Sequence, residues 1–287
     1  MHKLAYYPFF ISLLIFSLIC SANANRKITV TKLPHIIVIN SRSTDPTTNV
    51  FSLYRFRFST NYVPHIRIEG YKNVNDTVSG FTFRAVLVAL VEYNDTIAVK
   101  DSDSVFSYFG KGVLWDEIKF NDGNDGLKTL NTTLTANLGG ANPFTTTISL
   151  YATETQKSIN GATLLPSDVK YSLAFSNFPY KYQNSKIAIA HMVFSASGSK
   201  KSFNSDDAQI TVSSNTTGVG RLQWAKTITA DGKDVGISAE TNVLWKAAPQ
   251  FTNGDPTDDD AIASEEVETV VFKFDAVQPK SVVWDPR

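Results

Sequence analysis

Phe81 to Tyr93 (FTFRAVLVALVEY) is the segment that most narrows what this chain can become. Strict alternation puts Phe81, Phe83, Ala85, Leu87, Ala89, Val91 and Tyr93 on one face and Val86, Val88 and Leu90 on the other. Both faces are apolar in the middle, so the segment needs cover on two sides. Its β-branched and aromatic content disfavours a helix, and a central strand of a sandwich meets the requirement. Tyr54-Arg55-Phe56-Arg57-Phe58 alternates aromatic with basic residues. That pattern predicts a half-buried strand with the rings inward and Arg55 and Arg57 on the solvent face, rather than an anion site.

Further strands are predicted at Ile36–Asn40, Thr145–Ala152, Lys170–Ser176, Lys186–Ser195, Ala208–Ser213, Arg221–Thr229, Val235–Ala239 and Glu268–Asp275. Turn residues punctuate them at 121–126 (NDGNDG), Gly139-Gly140, Asn160-Gly161 and Asp231-Gly232. The last suits a tight hairpin turn with positive φ. No segment carries a 3.6-residue apolar period with caps. The fold class is therefore all-β, an antiparallel β-sandwich. It forms either one unit over 25–287 or two packed β-units dividing near 121–126.

The amino-terminal segment sets the compartment. Lys3 precedes an apolar run, Pro8 to Cys20, and Ala22-Asn23-Ala24 offers small residues for cleavage. Residues 1–24 read as a secretory signal peptide. The run is shorter than the roughly 20 residues that span a bilayer, and no second long apolar run follows, so no membrane span is expected in the mature chain. The single cysteine, Cys20, lies inside the leader. The secreted product then has no disulfide, thiolate metal site or cysteine nucleophile, and must be held by its core. Four sequons begin at Asn75, Asn94, Asn131 and Asn215. They are surface-loop candidates for glycosylation.

Charge excludes one class of partner. Lys and Arg number 27 and so do Asp and Glu, which argues against a dedicated nucleic-acid binder. The sequence has no G-x-S-x-G, H-E-x-x-H or phosphate-loop motif. The mature histidines, His35, His65 and His191, lie on separate strand-like stretches, so only tertiary folding could assemble them. His191, within Ile189-Ala190-His191-Met192-Val193, reads as a satisfied histidine inside a strand.

Two acidic groups are candidate metal ligands. Asp258, Asp259 and Asp260 sit in an acid-rich stretch running from Asp255 to Glu268, and Asp95, Asp101 and Asp103 follow the strand ending at Tyr93. Clustered carboxylates form solvated loops, and their oxygens suit weak calcium binding. Calcium is the one cofactor these residues would take.

The residues Phe83-Arg84, Leu90-Val91-Glu92-Tyr93-Asn94-Asp95-Thr96, Asp101-Ser102-Asp103, Phe106-Ser107-Tyr108 and Leu114-Trp115 form a pattern. It continues in Leu222-Gln223-Trp224-Ala225-Lys226, Val271-Phe272-Lys273-Phe274-Asp275 and Val283-Trp284-Asp285-Pro286. Over roughly residues 50 to 286 this resembles the globular region of coral acidic skeletal organic matrix proteins, the skeletal aspartic acid-rich proteins, and their relatives in non-calcifying organisms. The resemblance implies a secreted, non-enzymatic, β-rich matrix protein whose acidic loops engage calcium. Where that pattern carries a calcium loop after the Glu-Tyr pair, this chain has Ile97-Ala98-Val99-Lys100, with fewer oxygen ligands and an added positive charge.

Three functions follow as expectations. The first is a secreted non-enzymatic protein of the extracellular matrix or cell surface, with matrix or surface components, glycans among them, as partners. The second is a carbohydrate-binding module using Trp115, Trp224, Trp245 and Trp284, which requires at least two of them coplanar on an exposed face. The third is a secreted hydrolase, which requires two facing carboxylates, one with a raised pKa.

Overall fold

The computed structural model describes residues 26–44, 53–60, 64–71, 79–93, 105–106, 114–137, 141–159, 162–196, 200–213, 219–241 and 265–284. The strands are β1 (Arg26–Leu33), β2 (Ile36–Ser43), β3 (Leu53–Ser59), β4 (His65–Tyr71), β5 (Ser79–Tyr93), β6 (Val105–Phe106), β7 (Lys119–Asp122), β8 (Leu127–Ala136), β9 (Phe144–Thr153) and β10 (Lys157–Ile159). They continue with β11 (Ala162–Leu164), β12 (Lys170–Ser176), β13 (Lys186–Ala196), β14 (Lys200–Asn204), β15 (Gln209–Ser213), β16 (Val219–Gln223), β17 (Thr227–Ala230), β18 (Lys233–Thr241), β19 (Glu265–Val277) and β20 (Ser281–Trp284). Every pairing among them is antiparallel. No described residue is helical, so no helix among them is long and apolar enough to cross a membrane.

The fold is an antiparallel β-sandwich. One continuous path runs β1-β2-β3-β4-β5-β13-β19-β18-β17-β20-β12-β9-β8-β7, with β6 beside β5. It bends into two layers at β18. The carboxyl half of that strand, Ile237–Thr241, pairs β19, while its amino half, from Lys233 to Gly236, pairs β17. A strand that serves two sheets makes the corner of a sandwich. At the far edges the layers meet where Ile118 N donates to Pro34 O (2.9 Å) and Lys32 lies 3.6 Å from the centre of the Phe120 ring. Inside, Phe175 on β12 stacks on Phe274 on β19. A smaller sheet, β14-β15-β16, contributes Ile210, Val212 and Leu222 to the same core.

The predicted central strand is present as β5, lying between β4 and β13, and Ala85 through Leu87 and Ala89 through Val91 are buried. Its alternation is not uniform. The register with β13 shifts between Ala190 and His191, which leaves Val88 without an opposite partner. Directly opposed residues share a face, so the pairs Ala85↔Val193, Leu87↔His191, Leu90↔Ile189 and Glu92↔Ile187 place Leu90 and Glu92 on the core side with Ala85 and Leu87. The bulge thus reverses the predicted faces beyond Val88. It also carries an acid into the interior.

The hairpin at Asp231-Gly232 forms as predicted. Both residues have positive φ, 48° and 78°, the requirement of a two-residue type I′ turn. The predicted strand Arg221–Thr229 is instead two strands, β16 and β17. Between them Trp224 N donates to Ala208 O and Lys226 O accepts from Ile237 N, so the chain changes sheets there. Residues 121–126 form the end of the β7–β8 hairpin, with Gly126 at φ 78°.

Candidate functional site

β13 carries His191 into the interior between the two layers, where it meets a group of rings. Its centroid lies 5.4 Å from Phe272 and 5.4 Å from Trp284, with interplanar angles of 82° and 65°. Tyr171 on β12 stands edge-on to His191 at 6.5 Å and to Trp284 at 6.0 Å. Trp224 packs on Phe272 at 5.1 Å. Edge-to-face arrangements of this kind match the ring quadrupoles and add to the hydrophobic gain.

These rings leave a pocket. Phe58, Ile66, Leu87 and Leu222 complete its apolar walls, while half-buried His65 and exposed Gln223 sit at its rim. Its unfilled inner space is ≈ 30 Å³, and ≈ 450 Å³ counted out through the mouth. Three polar atoms of the residues around it, the Tyr171 hydroxyl, the Trp284 indole Nε1 and His191 Nδ1, are buried without a hydrogen-bond partner. Each such group costs about 1–3 kcal/mol of desolvation. Burial holds the His191 imidazole neutral, its pKa pushed down to about 3, and pushes the Tyr171 phenol far above its usual range. His191 therefore lies within a strand, as expected, but it is not satisfied as a core histidine should be. The surface the pocket presents is apolar, with these three polar atoms buried behind it.

The described buried carboxyl groups are held apart and engaged in structure. Glu92, 1% exposed, accepts from Lys181 N (3.0 and 2.9 Å), Tyr182 N (2.8 Å) and the Ser185 hydroxyl, tying the loop before β13 to the end of β5. Glu69 on β4 pairs with Arg67 at 2.8 Å, lies 3.7 Å from Arg55 and accepts from Tyr71 OH at 2.8 Å. Burial and that bond push the Tyr71 phenol up to about 12. Asp168, before β12, accepts from Leu165 N and the Ser167 hydroxyl. Burial raises its pKa, with no second acid contributing. At the surface, Asp122 and Glu154 converge on Lys128 Nζ at 2.7 and 3.1 Å, with the ammonium between the two carboxylates. Arg57, Arg67 and Arg84 oppose one another across β3, β4 and β5. Like charges so placed repel, and Glu69 offsets part of that through Arg67.

Asp95, Asp101, Asp103, Asp258, Asp259 and Asp260 lie outside the described residues, as do Asn75, Asn94, Asn215 and Trp245. Among the described residues no group of three His, Cys, Asp or Glu side chains is placed to hold a metal ion. Asn131 is half-buried in the middle of β8, paired between Lys119 and Ser149, not in a loop. The next residue of that sequon, Thr132, points inward and donates to Asp116 O at 2.7 Å. Trp115, Trp224 and Trp284 are 4%, 4% and 3% exposed. They fill the core and supply no open platform for a sugar. Folding brings His65 and His191 to one pocket, while His35 stands apart near Thr60. The role of Tyr171 and Trp284 beside His191 had no signal in the sequence, because their strands are distant in the chain and meet only through the sandwich.

No protein-family model matches the chain, and no curated protein matches its sequence.

Proposed function

We propose that the protein is secreted and serves without turnover as a β-sandwich component of the extracellular matrix or cell surface, with calcium as a ligand of its acidic loops. The observation that carries this reading is the position of the first strand relative to the leader. Arg26, the second residue after the expected cleavage point, is 5% exposed, donates from Nε to the Ser41 hydroxyl at 2.9 Å and from Nη2 to Ser41 O at 2.7 Å, and lies 4.4 Å from the Tyr54 ring centre. The first described strand thus starts two residues after the expected cleavage point, which supports a folded product released by cleavage after Ala24. With Cys20 removed, the product relies on a continuous apolar core rather than on disulfides.

Expression in a secreting eukaryotic cell tests this. The product is expected in the medium with Asn25 as its first residue and with glycosidase-sensitive mass on its sequons. Retention in the cell with residues 1–24 attached would sink the reading. For the calcium part, thermal unfolding of the purified product is compared in millimolar calcium and in chelator. A rise of several degrees is expected, lost when Asp258, Asp259 and Asp260 become Asn or when Asp95, Asp101 and Asp103 do. An unchanged midpoint removes calcium from the function.

A further inference from the structure

The outward face of the layer built from β8, β9, β12 and β20 carries no charge. Its outward positions, every second residue from Thr129 to Thr135, Thr145 to Tyr151 and Ser172 to Ser176 together with Ser281 and Val283, include no Asp, Glu, Lys or Arg. Each of them is half-buried or exposed, so the face is open to solvent. The other layer differs, since Arg57, Arg67 and Arg84 stand in one row across β3, β4 and β5. Soluble surfaces ordinarily intersperse charges, and a face this wide without one must be solvated in another way. Part of its hydroxyl array already bonds within itself, Thr133 to Thr147 at 3.1 Å and Thr145 to Ser176 at 2.6 Å.

Asn131 stands in this face and opens the sequon Asn131-Thr132-Thr133. Its neighbours Leu130 and Thr132 are buried, so alternation turns the Asn131 amide outward. Ser149 lies directly opposite on β9, and Ser172 lies opposite Ser149 on β12. Neither the Asn131 amide nor these two hydroxyls is engaged in a side-chain hydrogen bond among the described residues. Tyr151, half-buried, is the diagonal neighbour of Asn131, at the roughly 7–8 Å that separates such pairs.

We propose, on the reading that the chain is secreted, that Asn131 carries an N-linked glycan whose first sugars lie along the sheet over Ser149, Tyr151 and Ser172. Attachment precedes folding, because β7 and β9 flank the sequon on both sides in the finished sheet. The amide nitrogen displaces the pyrophosphate of a lipid-linked oligosaccharide. The bond from nitrogen to the first sugar carbon forms, the bond from that carbon to the pyrophosphate oxygen breaks, and one amide proton and the lipid pyrophosphate leave. Folding then lays the glycan on a floor that suits it. Sugar hydroxyls donate and accept as Ser149 and Ser172 do, the C–H face of a sugar packs on the Tyr151 ring, and a neutral sugar needs no countercharge.

The full chain is expressed in a secreting eukaryotic cell, and the peptide holding Asn131 is weighed. Occupancy is expected, kept in Thr133→Ser and lost in Thr133→Ala. An endoglycosidase that cuts between the first two sugars should trim this glycan several-fold more slowly in the native protein than in the denatured one. Tyr151→Ala should speed native trimming several-fold, whereas Thr227→Ala, on β17 of the same layer, should leave it unchanged. Asn131→Gln should lower the melting midpoint by a few degrees, and by less in the Tyr151→Ala background. A secreted product unmodified at Asn131 overturns the inference while secretion stands, and retention in the cell with the leader attached sinks both. Occupancy with native trimming as fast as denatured, or equally slow after Tyr151→Ala, overturns the packing of the sugars on β9.

Discussion

Glu92 and His191 lie on the paired strands β5 and β13 and face the same interior, yet the structure treats them in opposite ways. Glu92 sits at the end of the sheet, opposite Ile187, where the loop before β13 turns its backbone N–H groups onto the carboxylate. His191 sits farther along, opposite Leu87, with aromatic rings around it and no partner for Nδ1. The contrast follows from where spare hydrogen-bonding groups exist. In the middle of a sheet the strands' own N–H and C=O groups are used in the ladder. At a sheet end they are free to serve a side chain. A polar group buried mid-sheet therefore depends on side chains or neighbouring segments for its partners, as Glu69 depends on Arg67 and Thr132 on Asp116 O. His191 Nδ1 has none, whereas Glu92 at the sheet end is bonded by free backbone N–H groups.

Removing Glu92 should break the rim half of this contrast most visibly. Glu92→Leu leaves the Lys181 and Tyr182 N–H groups and the Ser185 hydroxyl without their acceptor, and is expected to cost about 3–5 kcal/mol in urea unfolding. A loss below about 1 kcal/mol would mean that the loop finds other acceptors and that Glu92 does not anchor it. His191 gives the next largest effect, and it depends on pH. The folded imidazole stays neutral down to about pH 3, whereas in the unfolded chain it takes a proton as pH falls through about 6.5. Stability from this group is thus complete above about pH 6.5 and is lost below it at about 1.4 kcal/mol per pH unit, until the folded group titrates too. His191→Phe should remove that slope. Parallel stability profiles for the two proteins between pH 6 and 4 would show that His191 is not held neutral by burial.

Much of the fold was legible in the sequence because the strongest patterns were local. β5 announced itself through length and two-sided apolarity, β12 through its alternation, and the β17–β18 hairpin through Asp231-Gly232. Other strands escaped notice because their inward residues are not all apolar. β8 turns Lys128, Leu130, Thr132 and Leu134 inward, and buried Lys and Thr conceal the alternation. The bulge at Val88 has no sequence signature, so the burial of Glu92 was unreadable, and so was the break at Trp224 to Lys226, which depends on Ala208 and Ile237. The pocket was less legible still. The residues around it come from distant strands, β12, β13 and β20 among them, and whether a histidine inside a strand is satisfied depends on neighbours that only the tertiary fold supplies.

Backbone effects set an intermediate scale against which the buried groups are judged. Gly232 has φ 78° and a Cβ there would meet nothing within 4 Å, so Gly232→Ala tests conformation alone. A loss of about 1 kcal/mol is expected, measured by the same urea unfolding. No loss would show that the β17–β18 turn relaxes to another type.

The smallest effect separates satisfied from unsatisfied hydroxyls most directly. The Tyr180 hydroxyl donates to Pro279 O at 2.9 Å, and Tyr180→Phe strands that carbonyl, at an expected cost of about 1 kcal/mol. The Tyr171 hydroxyl donates to nothing, so Tyr171→Phe removes a buried polar atom without orphaning another. It should change stability by less than about 0.5 kcal/mol, and any change should be a gain. Equal losses for the two substitutions would mean that the Tyr171 hydroxyl is bonded in solution. The distinction between a satisfied rim and an open pocket would then fail at Tyr171 itself.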